Sequence, residues 1–228
     1  MKRSQTTAMG LLATLPARPV NFDVERIDEF SRRGDWNVDD YAEPLPPESP
    51  GAPLAGGPWE IACRLSREYA FADPRLLRAM YHYDRPLEGR DIVLEARFSG
   101  LSFLLAVRAA QVEEESTAID GRPIRRSAWS YRTLEGHLER GQMDYEVRKW
   151  LDTGEVEFRI HVVSRAAKIP DLVTRCGFLV FGRWLQVRFA RRSARRMRAM
   201  VEAELGHGPH PRGGRDAAGR IRRVVVAA

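Results

Sequence analysis

Several features that would assign a function are scarce or missing in this chain of 228 residues. Its uninterrupted apolar runs, such as residues 103–107, are far shorter than the roughly 18 residues of a membrane-spanning helix, so no integral membrane protein is expected. Only two cysteines occur, Cys63 and Cys176, and they predict small buried hydrophobic residues in a reducing cytosol instead of a disulfide framework. The chain also has no nucleophile elbow, metal-ligand spacing or phosphate-binding loop. It is therefore expected to be a cytoplasmic protein with no metal and no cofactor, and the sequence identifies no reaction.

Lysine is also scarce, and the basic residues are unevenly placed. Only three of the 37 basic residues are lysines. Residues 1–164 carry 22 basic and 27 acidic side chains, whereas residues 165–228 carry 15 basic and 4 acidic side chains. The overall charge of +6 therefore conceals a weakly acidic body and a strongly basic C-terminal part.

Proline and glycine divide the chain into three predicted parts. Residues 43–58 contain six prolines, which favours an extended, polyproline-like connector over a packed element. The sequence thus predicts an N-terminal arm with its connector, a core domain and a basic, disordered tail, at residues 1–58, 59–205 and 206–228. The arm is expected to dock on the core through aromatic side chains, with partner binding as the alternative. These side chains are Phe22, Phe30, Trp36 and Tyr41.

The core domain begins with two predicted short helices. Apolar residues recur at helical spacing from Trp59 to Tyr69. A second helix is expected directly afterwards, with Asp73 as its N-cap, Pro74 as its first residue and apolar residues up to Tyr81 on one face. The pattern then changes to a period of two, which predicts about five consecutive antiparallel strands. They fall near residues 92–98, 103–107, 125–133, 142–150 and 156–162.

A long helix is predicted at the C-terminal end of the core. Its pattern follows Pro170 and continues to Leu205, with Gly206 where a helix commonly ends. One side is apolar, and the other carries Arg188, Arg191, Arg192, Arg195 and Arg198. This cationic face is interpreted either as solvated helix surface or as a docking surface for an anionic membrane or an acidic protein. Nucleic acid is not expected as a partner, because no groove-binding module accompanies the charge.

The most distinctive stretch is residues 129–141, which end one strand, turn and begin the next. His137 lies in the turn between Glu135 and Glu139, so one interpretation is a general base oriented by a carboxylate. The other is an exposed turn histidine, since no nucleophile or second base lies nearby in the sequence.

Alternate residues of the neighbouring strands predict one shared inner face. On this face the pattern places Trp129, Tyr131, Thr133, Tyr145, Phe158 and Ile160. These side chains either line a ligand pocket or form a filled core whose hydroxyl groups are satisfied locally.

The turn motif resembles a known family. Tyr131-x-Thr133-Leu134-x-Gly136-His137-x-Glu139-x-Gly141 is similar to the signature of the uncharacterised DUF1990 family, over roughly residues 59–200. Departures occur at Glu135 and Leu138, where that family often has prolines, and at Gln142, where it often has glutamate. The order of elements further resembles the START and Bet v 1-like (SRPBCC) superfamily. This resemblance implies an α+β helix-grip fold, in which a curled antiparallel sheet wraps around the long C-terminal helix.

The same resemblance implies two kinds of function. The first is binding of a hydrophobic or amphipathic small molecule in a cavity between the sheet and the C-terminal helix. The alternative is an enzyme of the cyclase or hydratase type, with His137 as the base and Tyr131 or Tyr145 as the proton donor. Fold alone does not decide between them.

Overall fold

The computed structural model describes residues 2–98, 101–167, 172–207 and 221–223, with side chains described for 7–97, 102–167 and 183–206. Its helices are α1 (Lys2–Thr14), α2 (Ile27–Arg32), α3 (Pro58–Arg67) and α4 (Leu172–His207). Its strands are β1 (Asn37–Leu45), β2 (Leu77–His82), β3 (Asp91–Phe98), β4 (Leu101–Ile119), β5 (Arg122–Thr133), β6 (Glu139–Trp150), β7 (Val156–Ala166) and β8 (Ile221–Arg223).

The strands form one antiparallel sheet in the order β1-β7-β6-β5-β4-β3-β2-β8. Its inner face contacts α3 and α4, and the main core lies between them. Here Tyr145 and Phe158 of the sheet share one apolar cluster with Phe189 and Met197 of α4. The predicted α+β helix-grip architecture, a curled antiparallel sheet around a long C-terminal helix, is confirmed.

The outer face of the sheet is partly covered by the N-terminal helix. Leu12 of α1 and Leu15, in the turn that follows α1, pack against Val93 and Ala106, which point away from α4. The arm also contacts this face further along, where Phe30 and Trp36 stack at 4.4 Å between ring centroids and pack against Val163. These contacts agree with the docking expected from the aromatic residues of the arm.

The first strand lies inside the predicted arm. β1 pairs with β7 from Asn37 opposite Ser164 to Leu45 opposite Val156, and so forms one edge of the sheet. The pairing places Asp39 and Glu43 on the inner face, towards α4. Thus the arm supplies the strand that the apolar pattern does not predict.

The prediction of a second short helix, beginning at Asp73, is wrong. Asp73 closes a single turn, in which its carboxylate accepts from the Arg75 N–H at 2.9 Å and its carbonyl from the Leu77 N–H at 2.9 Å. β2 then begins at Leu77 and pairs with β3. The run looks helical because it is apolar on both sides: Tyr81 joins the main core, whereas Met80 packs under α1.

The proline-rich segment is packed, which differs from the extended connector that its composition predicts. The Glu48 N–H donates to the Gly154 carbonyl at 2.9 Å, and the Gly51 N–H donates to the Leu151 carbonyl at 2.7 Å. The approach is so close that a Cβ added to Gly154 would lie 2.0 Å from the Glu48 carbonyl oxygen. The segment is therefore fixed against the turn between β6 and β7.

Two parts of the predicted tail can be compared with the structure. Gly206 and His207 belong to α4, and Ile221–Arg223 form β8 beside β2. Residues 208–220 and 224–228 lie outside the described part of the chain. No helix within the described residues is long and apolar enough to span a membrane.

Candidate functional site

The signature turn between β5 and β6 is clamped by the N-terminal arm. Arg18 Nη1 donates to the Glu135 carbonyl at 3.0 Å, and the Glu135 N–H donates to the Pro19 carbonyl at 2.9 Å. On the other side of the turn, Asn21 Nδ2 donates to the Glu139 carbonyl at 2.9 Å. The partners are more than a hundred residues apart in sequence, so no local pattern predicts this clamp.

His137 is buried in this turn, which contradicts the exposed turn histidine considered from the sequence. Its Nδ1 lies 2.9 Å from the Glu139 main-chain nitrogen. Burial lowers its pKa to about 4, so the ring is neutral at pH 7. Within the described residues, no hydrogen bond joins the ring to a carboxylate, to Tyr131 or to Tyr145. The observed contact organises the turn.

The centre of the inner face is a packed aromatic cluster. It consists of Tyr69, Phe71, Trp129, Tyr145 and Phe158, whose neighbouring rings lie 4.8–6.4 Å apart between centroids. Trp129 Nε1 donates to Ser66 Oγ at 2.9 Å, and the Tyr69 and Tyr145 hydroxyls are 3.1 Å apart. The polar atoms in this part of the predicted inner face are thus satisfied locally. Ile160 is fully buried in the same core.

Thr133 has a different role from Tyr131, the tyrosine on the same strand. Its hydroxyl lies 2.6 Å from Asn21 Oδ1 and accepts from the Gly141 N–H at 2.9 Å. It therefore joins the arm to the start of β6. Tyr131 points into the main core, where its hydroxyl donates to Met143 Sδ at 3.4 Å.

A carboxyl group lies beside Tyr131, between the sheet and α4. Gln186 Nε2 of α4 donates to Glu139 Oε2 at 3.4 Å and to Ser164 Oγ at 3.0 Å. Surrounding protein raises the pKa of Glu139 to about 7, an effect that Arg183 opposes, although Glu139 keeps some surface exposure. Burial also raises the pKa of Tyr131, and the charge of Glu139 adds to that effect.

Glu139 was missed as an inner-face residue, although the sequence carries a signal for it. Met143 and Tyr145 point inward on β6, and Glu139 has the same parity. The contact between Glu139 and Gln186 could not be predicted from a local sequence pattern, because the two residues lie 47 positions apart.

The arginine face of α4 is partly used within the chain. Arg192 pairs with Asp73 at 3.1 Å, Arg198 pairs with Glu202 at 2.8 Å, and the Arg188 guanidinium lies 4.8 Å from the Trp184 ring centroid. Arg191 and Arg195 are exposed. Part of the predicted basic surface therefore fastens α4 to the domain.

Other reactive side chains form no site in the part of the chain described. No group of three His, Cys, Asp or Glu residues there is placed to hold a metal ion. Cys63 is buried, and burial raises the pKa of its thiol to about 12, which disfavours the reactive thiolate. The side chain of Cys176 lies outside the described residues.

Comparison with known proteins gives likenesses in fold at low identity. A START superfamily protein from Mycobacterium smegmatis is 10% identical over 73% of this chain and 97% of its own, with a TM-score of 0.43. The crystal structure of Ara h 8.0201 is 7% identical over 74% of this chain and 99% of its own, with a TM-score of 0.41. A hypothetical protein from Helicobacter pylori is 12% identical over 80% of this chain and 96% of its own, with a TM-score of 0.45. At these values the likenesses support no inference about function.

The family comparison is more direct. A search of curated proteins found no match. The model of a domain of unknown function, DUF1990, matches residues 27–196, which include β1, the signature turn and much of α4. The chain belongs to the DUF1990 family.

Proposed function

We propose that this protein binds an amphipathic small molecule between the inner face of the sheet and α4, at the end marked by Tyr131 and Glu139. The observation that carries the proposal is the Glu139 carboxyl group, which lies beside Tyr131 at the edge of the main core and has a single hydrogen bond of 3.4 Å, from Gln186, among the described residues. A few polar groups on an apolar wall are typical of small-molecule sites. A carboxyl with a raised pKa in such a place is typical of a functional group.

The apolar wall of this proposed site is formed by the same end of the sheet. Leu105 and Phe103 lie on the inner face of β4 and remain only partly buried. The aromatic cluster fills the centre of the face, so it supports the floor of the site instead of lining an open space. The proposal therefore moves the ligand away from Trp129 and Phe158 and towards Tyr131.

The head group of the ligand is limited by the chemistry of Glu139. A carboxyl group with a pKa near 7 accepts hydrogen bonds from alcohols and pairs with amines when ionised, whereas it repels another carboxylate. We therefore expect a neutral donor or an amine at the polar end and an alkyl or ring system against Leu105.

Native mass spectrometry of the full chain with dodecanol, dodecylamine and dodecanoate tests this proposal. The expected result is binding of the alcohol and the amine in preference to the acid, with that preference reduced at least tenfold in Glu139→Gln. Leu105→Trp should weaken the binding of all three ligands, because the larger side chain occupies the space beside the apolar wall. Arg159→Gln, on the outer face, is the matched control and should bind as wild type does. Absence of binding to all three, or an unchanged preference in Glu139→Gln, would refute the proposal.

A further inference from the structure

A cavity opens on the outer face of the sheet, opposite the face that contacts α4. It has a volume of about 520 Å³, which lies within the range of small-molecule sites. Its lining includes Gly89, Arg108, Gln111 and Arg132, with Glu88 among the exposed residues at its edge. It thus differs in position and in charge from the site proposed above.

Two arginines lie side by side in the lining of this cavity. Arg108 on β4 is paired directly with Arg132 on β5, an arrangement of like charges that destabilises a sheet unless each charge is compensated. Arg108 is compensated, because its Nε donates to Asp91 Oδ1 at 2.8 Å and its Nη2 to the Leu15 carbonyl at 2.7 Å. The compensation uses groups on the side away from Arg132.

Arg132 has no such partner. Its Nε donates to Gln142 Oε1 at 3.0 Å, and among the described residues no carboxylate lies within ion-pair distance of it. Burial lowers the pKa of Arg132, an effect that the nearby Asp144 only partly offsets. Asp144 instead accepts from Gln142 Nε2 at 2.7 Å. Arg132 thus lines the cavity, and its terminal nitrogens make no hydrogen bond or ion pair with the described residues.

The backbone at the cavity is strained. β4 is bulged between Ala110 and Glu113, and Gln111 takes a φ of +50°, in the left-handed region that is rare for residues other than glycine. This conformation brings Gln111 Oε1 within 3.2 Å of Ser130 Oγ and 3.1 Å of Gln142 Nε2. Strained backbone of this kind is concentrated at functional sites.

We propose that this outer cavity binds a small molecule through its carboxylate group, which the terminal nitrogens of Arg132 hold in a two-pronged contact. The planar guanidinium matches a carboxylate in geometry. Glu88 and Glu113 also line the cavity, and the negative charge of Glu88 disfavours a doubly charged anion such as phosphate. Glu113 is itself paired with Arg126 at 2.7 Å, so it does not neutralise Arg132.

The test is a nuclear magnetic resonance titration of the full chain with sodium benzoate and, separately, with inorganic phosphate at constant ionic strength. Benzoate is expected to shift the Arg132 Nε–H signal and the Gln111 and Gly89 amide signals saturably. Arg132→Gln should weaken binding at least tenfold, and Arg132→Lys, which keeps the charge but lacks the fork, should weaken it several-fold. Arg159→Gln is the control and should leave the affinity unchanged.

A further variant keeps the test decisive if Arg132→Gln fails to fold. Glu88→Gln removes an exposed negative charge at the edge of the cavity, so it should tighten benzoate binding. The proposal is overturned if benzoate produces no saturable shifts, if phosphate binds as well as benzoate, or if Arg132 and Arg159 variants behave alike. None of these outcomes depends on whether an amphipathic molecule binds at Glu139.

Discussion

Loss of one partner of the buried ion pair that fixes the proline-rich segment should strongly destabilise the protein. Lys149 Nζ lies 2.7 Å from Glu48 Oε2, and both side chains are fully buried. The ammonium also donates to the Ala52 carbonyl at 3.0 Å, while the carboxylate accepts from the Leu54 and Trp59 N–H groups at 2.9 and 2.7 Å. Lys149→Met leaves the Glu48 charge buried without its counter-ion, which costs about 3–5 kcal/mol.

Glu48→Gln should cost about as much, because it strands the Lys149 ammonium instead. The double variant Glu48→Gln/Lys149→Met buries no charge and loses roughly one hydrogen bond to a main-chain N–H, which costs about 1–3 kcal/mol. The two single effects should therefore sum to more than the double effect. This non-additivity distinguishes a coupled pair from two independent packing losses.

Urea unfolding followed by tryptophan fluorescence measures these differences. With a slope of about 2 kcal/mol/M, a loss of 4 kcal/mol lowers the midpoint by about 2 M. Arg122→Met, which breaks the exposed pair with Asp152, is the matched control and should leave the midpoint almost unchanged. A small effect of Lys149→Met, or additive single effects, would refute the reasoning.

Three further predictions follow from other sites. The folded state raises the pKa of Glu139 from 4.5 to about 7, so the stabilisation that comes from protonated Glu139 is lost as the pH rises through 7. Urea titrations between pH 5 and 8 should therefore show Glu139→Gln gaining stability over wild type, by up to about 3 kcal/mol. Gly141→Ala should unfold at much lower urea than Gly206→Ala, because at φ +150° its Cβ would lie 2.0 Å from a carbonyl oxygen of β7, whereas Gly206 has open space. Ser66→Ala leaves the buried Trp129 indole N–H without its acceptor and should cost about 1–3 kcal/mol by the same assay; an unchanged midpoint would contradict this assignment.

The later strands and the long helix could be predicted because their signals are local. In β7, Val156, Phe158, Ile160 and Val162 alternate with polar residues and all point into the core, so parity alone gives the inner face. The same reasoning did not predict β1, because its inner face carries the charged residues Asp39 and Glu43 at positions where an apolar pattern would indicate a strand. Asp39 forms an ion pair with Arg183 on α4, so the side chain that disrupts the apolar pattern of β1 also joins β1 to α4.

The candidate sites depend more on long-range contacts. The inner-face residues Trp129 and Tyr145 were predicted from alternation, but only their ring packing and hydrogen bonds show that this part of the face is filled. The hydrogen bond from Asn21 to the Glu139 carbonyl joins segments 118 positions apart, and no composition or period encodes it. Sequence patterns thus predict which residues lie on the inner face of the sheet, whereas tertiary packing determines which part of that face is filled and where a charged group lies on it.

The position of β1 at the edge of the sheet also constrains the order of folding. This strand is synthesised before any other, yet its partner β7 ends at Ala166, and its ionic partners Arg183 and Arg198 on α4 are made later still. Pairing across so long a stretch of chain requires a costly loop closure and is slow compared with the hairpins between β3 and β7. During synthesis the meander from β3 to β7 can pair as each strand is completed, and the edge strand and the long helix must close on it afterwards. The inner face is therefore enclosed only once α4 is being made.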